Sequence, residues 1–141
     1  MTDNLSKKQR SYCMSRVKSK DTALETRIRT ELFKRGLRFR KHVTTLPGRP
    51  DIVFPTARLA VFLDGDFWHG YRFPIWQRTL PKFWREKINK NRNRDRRNFV
   101  KLRRMGWRVL RIWQHQVERD LHACTNKVIS KYAEAVNGSR S

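Results

Sequence analysis

Residues 46–64 read Leu46-Pro47-Gly48-Arg49-Pro50-Asp51-Ile52-Val53-Phe54-Pro55-Thr56-Ala57-Arg58-Leu59-Ala60-Val61-Phe62-Leu63-Asp64. A short apolar run, a turn signal at Pro55 and a near-continuous apolar run of five describe a tight hairpin whose second strand is buried. Working outward, Leu24, Ile28 and Leu32 fall on one side of a helix that Asp21 or Thr22 caps and Gly36 ends. Residues 37–43 form a strand between that helix and the hairpin. On the other side, residues 64–80 have no period and form a long loop, the kind of segment that carries function in a compact domain. Pro81 opens a helix that runs to about Met105, with Gly106 just beyond it. Residues 107–113 alternate as a strand, and residues 115–136 form a last amphipathic helix. Helices on both sides of a hairpin and a lone strand give an α/β or α+β fold, a mixed central sheet flanked by helices. The boundaries expected are a basic arm over 1–19, one domain over 20–136 and a tail over 137–141.

The 141 residues suit one domain. Its 34 Lys and Arg stand against 12 Asp and Glu, a formal net charge of +22. With 38% hydrophobic and 11% aromatic residues the chain has the means to build a core, which excludes a wholly disordered basic tail. So much positive charge calls for a polyanion, because neutralising phosphates releases their condensed counterions; nucleic acid is the partner expected. No stretch approaches the roughly 18–20 apolar residues that span a bilayer, and the first residues lack the apolar core of a signal peptide, so a cytoplasmic protein is expected. Cys13 and Cys124 are far apart and not at metal-binding spacing, which leaves no disulfide framework.

Four acidic residues and a histidine carry the chemistry. At 100° per residue, Trp84, Ile88, Asn91, Asp95, Phe99 and Leu102 share an arc about 80° wide, so Asp95 sits in an apolar stripe. A carboxylate there needs an arginine, hydrogen bonds or a metal. The same helix carries eleven Lys and Arg between Lys82 and Arg104 against Glu86 and Asp95, a face suited to tracking phosphates. The hairpin brings the start of its first strand beside the end of its second, so Asp51 and Asp64 are expected as neighbours. Crowded carboxylates suit a hard cation such as Mg²⁺, although Asp64 in a turn-capping role fits as well. His69 is placed to handle a proton near neutral pH if it stands beside such a site. Phe67 and Trp68 either pack the loop or serve as wedges between base steps.

Five ordered blocks, Leu-Pro-Gly-Arg-Pro-Asp at 46–51, Gly-Asp-Phe-Trp-His at 65–69, Phe-Trp-Arg-Glu-Lys-Ile at 83–88, Asn-Arg-Asp-Arg-Arg-Asn at 93–98 and Gly-Trp-Arg-Val-Leu at 106–110, resemble the very short patch repair (Vsr) endonucleases. The likeness runs from about residue 8 to 136. It implies a restriction-endonuclease-like fold of the PD-(D/E)XK type and a monomer that nicks double-stranded DNA, with Mg²⁺, 5′ to the thymine of a T:G mismatch. Partners in mismatch repair or a DNA methyltransferase are compatible with it. By position, Asp51 becomes the central metal ligand with the Leu63 carbonyl beside it, His69 the general base or acid, Glu25 the group that orients His69 or the water, and Asp95 the support of His69. Phe67, Trp68 and Trp84 match an aromatic wedge, which moves Trp84 from core to binding surface. Met14 matches an apolar residue approaching from the other groove, and Arg49 is taken as a DNA contact.

Two departures alter the expectation. The family's structural zinc ligands are matched here by Asp66, Tyr71, Phe73 and His115, so no zinc is expected. Packing of Tyr71, Phe73, Pro74 and Trp76, or pairing of Asp66 with an arginine, must hold the loop instead. A histidine of the family's catalytic loop is matched by Asp64, which offers a further metal ligand beside Asp51 and Leu63. Two other readings stay open: a nuclease of the same fold in a restriction or defence system, and a non-catalytic nucleic-acid-binding module.

Overall fold

A computed structural model of the chain describes residues 23–66, 70–72 and 77–138. Its elements are α1 (Ala23–Lys34), β1 (Arg40–Lys41), β2 (Ile52–Phe54), β3 (Leu59–Asp64), α2 (Lys82–Arg104), β4 (Arg108–Trp113), α3 (Gln114–Arg119) and α4 (Leu121–Gly138), with a 3-10 turn at Gln77–Thr79. The four strands lie in the order β1-β2-β3-β4. The first three are antiparallel, and β4 runs parallel to β3 after the crossover that α2 supplies. This is the mixed, helix-flanked α+β sheet that the hydrophobic pattern implies.

Side chains alternate across β3 and β4, and the two faces acquire different helices. Leu59 and Val61 join Leu110 and Ile112 on one face, against Ile28 and Leu32 of α1 and Val117 and Val128 from α3 and α4. Each of the largest of these, buried from an exposed state, contributes about 2 kcal/mol. Ala60 and Phe62 point to the other face, where Leu102 and Phe99 of α2 cover them. Cys124 belongs to the first core; burial pushes its thiol up, against the pull of Lys127, so it behaves as a small apolar residue.

The helix ends follow their punctuation. Pro81 caps α2, and Gly106 takes φ +89 just past its end, where a Cβ would be strained. Two expectations need correction. The single last helix is two: Asp120 adopts an extended conformation (φ −155°, ψ 90°), and its Oδ1 accepts from the Ala123 N–H at 3.0 Å, so its side chain caps α4. The strand expected over 37–43 is reduced to Arg40–Lys41, although its backbone pairing continues through His42 N to Asp51 O and Val43 N to Pro50 O. The arm at 1–19 and the cap at Asp21 or Thr22 lie outside the described residues. Among the described residues, no helix is long and apolar enough to cross a membrane.

Candidate active site

Asp51 stands where the ladder between β2 and β3 is irregular. Ile52 is in register with Val61, yet the Asp51 N–H also donates to Val61 O at 3.1 Å. Two residues facing one is the arrangement of a β-bulge, which breaks strict alternation and re-aims the bulged side chain. In the turn that leads into it, Gly48 (φ +79) and Arg49 (φ 52) are both left-handed, and a Cβ on Gly48 would press the Phe62 ring at 3.0 Å. Arg49 is exposed at the lip of this turn.

The re-aimed Asp51 carboxylate meets two groups. Its Oδ2 accepts from the Leu63 N–H at 2.8 Å, which sets the Leu63 peptide beside it. His42 lies directly across from Asp51 in the β1–β2 ladder, and its Nδ1 is 4.0 Å from Asp51 Oδ1. On the far side, His42 Nε2 lies 3.7 Å from Oε2 of Glu25, in the first turns of α1. Glu25 also takes an Arg29 Nη1–H at 3.5 Å. Glu25, His42 and Asp51 each offer a ligand atom, and these atoms all lie within 4.8 Å of one another. Spacings of this size are compatible with the ligand shell that a divalent cation would take. Two carboxylates and an imidazole form a donor set for such an ion.

Asp64 is not part of that cluster, which corrects the expected Asp51–Asp64 pair. Lying two residues beyond Phe62, it keeps that residue's face of the sheet, whereas the bulge turns Asp51 toward the α1 face. Asp64 Oδ2 accepts from Arg111 Nε at 2.7 Å, and Asp95 Oδ2 of α2 accepts from Arg111 Nη2 at 2.9 Å. Arg94 lies 3.7 Å from the other Asp95 oxygen. The carboxylate in the apolar stripe of α2 is thus held by arginine. Arg111 is itself sandwiched, 4.1 Å from the Trp113 ring centre and 5.2 Å from that of Phe99.

Beyond Asp64 the same logic repeats. Asp66 Oδ1 lies 2.9 Å from His115 Nδ1, and Tyr71 packs against both His115 and Trp113, with ring centres at 4.3 and 5.0 Å. Of the two alternatives for holding this loop, Asp66 takes a histidine in place of an arginine, and Tyr71 supplies packing. Trp84 is 8% exposed and buried, as the helical period has it and contrary to the surface position that the resemblance gave it. Phe83 beside it is 57% exposed. Phe67, Trp68, His69 and Met14 lie outside the described residues, as do Phe73, Pro74 and Trp76.

Two residues were missed in the sequence. His42 carries no motif; the signal was the antiparallel register, which sets it opposite Asp51. Arg111 was the partner that a buried Asp95 demanded, and alternation along residues 107–113 aims it at the α2 face.

The family model described as DNA mismatch endonuclease Vsr matches residues 2–74. The chain is 48% identical over 118 residues to the type II nicking enzyme V.XorIIP of Xanthomonas oryzae, covering 81% of this chain and 85% of that protein. It is 41% identical over 116 residues to the DNA mismatch endonuclease Vsr of Escherichia coli, covering 81% and 74%. It is 36% identical over 129 residues to the type II nicking enzyme V.NmeDIP of Neisseria meningitidis, covering 89% and 87%.

Proposed function

This chain belongs to the Vsr family of DNA mismatch endonucleases, and from that we propose that it nicks one strand of duplex DNA at T:G mismatches in a Mg²⁺-dependent reaction. The observation that carries the proposal is the gathering of Glu25, His42 and Asp51 at the end of the hairpin of a chain whose net charge is +22. Positive charge draws in the polyanion, and between a phosphate and the Glu25 and Asp51 carboxylates a cation relieves the repulsion.

Asp51 is the central ligand of this reading, with Glu25 and His42 completing the protein's share and the Leu63 carbonyl beside them. The chemistry a Mg²⁺ ion supplies there is polarisation of the scissile phosphodiester and acidification of a bound water. The Leu63 N–H holds the Asp51 carboxylate in one orientation, which fixes where its other oxygen points. His69 takes the proton of the attacking water or gives one to the leaving oxygen, a role suited to an imidazole near neutral pH. Phe67, Trp68 and Met14 act as wedges, favoured at a mismatch because separating poorly paired bases costs less than opening a perfect duplex. Arg49, exposed beside the pocket, contacts the backbone. Asp64 and Asp95 hold Arg111 in place.

Nicking is measured on T:G, methylated and fully paired duplexes, with Mg²⁺ or EDTA, for the native chain and for Asp51→Ala. Loss of a metal ligand worth several kcal/mol predicts a fall in nicking rate of at least about 10³-fold, with duplex binding retained. Equal nicking of perfect and T:G duplexes would favour a restriction or defence nuclease over mismatch repair. Undiminished nicking by Asp51→Ala would remove the proposed centre.

A further inference from the structure

On the sheet face away from Asp51, a cleft of about 230 Å³ opens between the turn at residues 70–72, the middle of α2 and the end of β4. Four guanidiniums line it, those of Arg72, Arg92, Arg96 and Arg111. Two carboxylates, Asp64 and Asp95, accept from Arg111 through Nε and Nη2. Every charged side chain that lines the cleft itself is an arginine.

A solvated basic face is the plain alternative, and three features argue for more. Arg92 and Arg96 stand one helical turn apart, a like-charge spacing that disfavours a helix unless an anion lies between. Arg72 reaches the same space from a left-handed backbone (φ 54), sparsely populated for a residue with a Cβ. The turn that carries it is pressed onto α2 at Gly70, where any Cβ would stand 2.6 Å from Arg92 Cδ and 2.9 Å from Ile88 Cγ2. The cleft is thus assembled from three separate elements. Its aromatic walls, Trp113 and Phe99, flank Arg111 and leave it little freedom to lose on binding.

The geometry points to a phosphate subsite: this cleft grips one backbone phosphate of the duplex, with its adjoining sugar, at a position distinct from the phosphate presented to Asp51. The cleft is smaller than the roughly 300 Å³ at which pockets begin to enclose larger ligands, which suits one such unit. The inference rests on the DNA-nicking reading above. It adds that the duplex is held on both faces of the sheet end, so that the strand is fixed in register while the centre acts.

The test uses the full chain and a T:G duplex. Binding is measured without divalent metal over a range of NaCl concentrations for the native protein, for Arg72→Ala/Arg96→Ala and for the charge-matched control Arg119→Ala/Lys127→Ala. All four positions are exposed, so neither variant should unfold. Each phosphate contact contributes a slope of about −0.9 in log K against log salt. The cleft variant should lose about one unit of slope and bind about tenfold more weakly at 0.15 M salt, with nicking KM raised by a similar factor and kcat within about twofold. The control should keep its slope. A cleft variant whose slope and affinity match the control overturns the subsite while leaving the nicking reading intact. A native chain that nicks no duplex overturns the nicking reading, and the slopes still decide the subsite.

Discussion

Two acidic groups lie near the same end of one sheet, on opposite faces, and they are handled in opposite ways. Toward α1, Glu25 and Asp51 face each other across His42, with ligand atoms gathered within 4.8 Å. Toward α2, Asp64 and Asp95 are joined by the Arg111 guanidinium at 2.7 and 2.9 Å. Both sites confront the cost of bringing carboxylates together away from water. The second solves it within the chain, by a covalently attached cation with a fork matched to two carboxylates. The first presents two carboxylates and an imidazole, a donor set compatible with a divalent cation. A buried carboxylate pair in a sequence therefore does not identify a metal site by itself: on one face a single guanidinium bridges both carboxylates, and on the other Arg29 meets Glu25 at 3.5 Å while an imidazole stands between Glu25 and Asp51.

Removing the resident cation perturbs the α2 face most. Arg111→Leu removes the guanidinium that joins Asp64 and Asp95. Breaking a buried pair from one side costs about 3–5 kcal/mol, and the low end applies here because the Arg111 side chain is 23% exposed. Urea unfolding should show about 3 kcal/mol of lost stability at pH 7. A variant as stable as the native chain at pH 7 would mean that Arg111 does not hold this pair.

Removing all three charges together separates charge from packing. Arg111→Leu with Asp64→Asn and Asp95→Asn leaves no unpaired ion, and replacing a whole buried ionic group is commonly near neutral. The triple variant should recover at least about 2 kcal/mol of the 3 lost. Failure to recover would assign the loss to the packing of Arg111 between Trp113 and Phe99 and not to charge.

How much of this was legible in the sequence depends on whether a local rule decided the outcome. Pro81 and Gly106 bound α2 because capping is local, and the apolar stripe of α2 placed Asp95 correctly among Ile88 and Leu102. The hairpin was legible from its two apolar runs. The neighbour of Asp51 was not, because a single bulge at residues 51–52 reverses which face the side chain takes, and no residue type marks it. The same limit governs His42, whose place opposite Asp51 depends on a register between strands fixed by tertiary packing. Asp120 was a missed local signal, since aspartate is a favoured helix cap. Trp84 shows that a family pattern can displace a sound physical reading: its period put it in the core, where it is.

On the α1 face the equivalent perturbation is milder. His42→Ala deletes one of three candidate ligands and keeps both carboxylates. Removing a group that completes or orients a metal shell costs about 10-fold to 100-fold in metal affinity. The Mg²⁺ or Mn²⁺ concentration giving half-maximal nicking should rise about tenfold, the lower bound, because an imidazole is the weaker partner for a hard ion. An unchanged metal requirement would reduce the centre to its two carboxylates.

The smallest effect is expected just beyond the end of β3. Asp66 repeats the internal solution of Asp64 one alternation later, using His115 in place of arginine and adding Tyr71 across the imidazole. Both side chains of the pair are more than a quarter exposed, at 27% and 29%, so water screens the interaction and a partner lost is partly replaced by solvent. His115→Ala should therefore cost only about 1 kcal/mol of global stability, from one hydrogen bond and part of a ring contact. The local consequence is larger than the global one, because Tyr71 is joined to the body of the fold through His115 and Trp113. Hydrogen exchange at residues 70–72 should accelerate in His115→Ala while the amides of Val61 and Leu110 keep their protection. Uniform loss of protection across β3 and β4 would place His115 in the core network and not in a local pair.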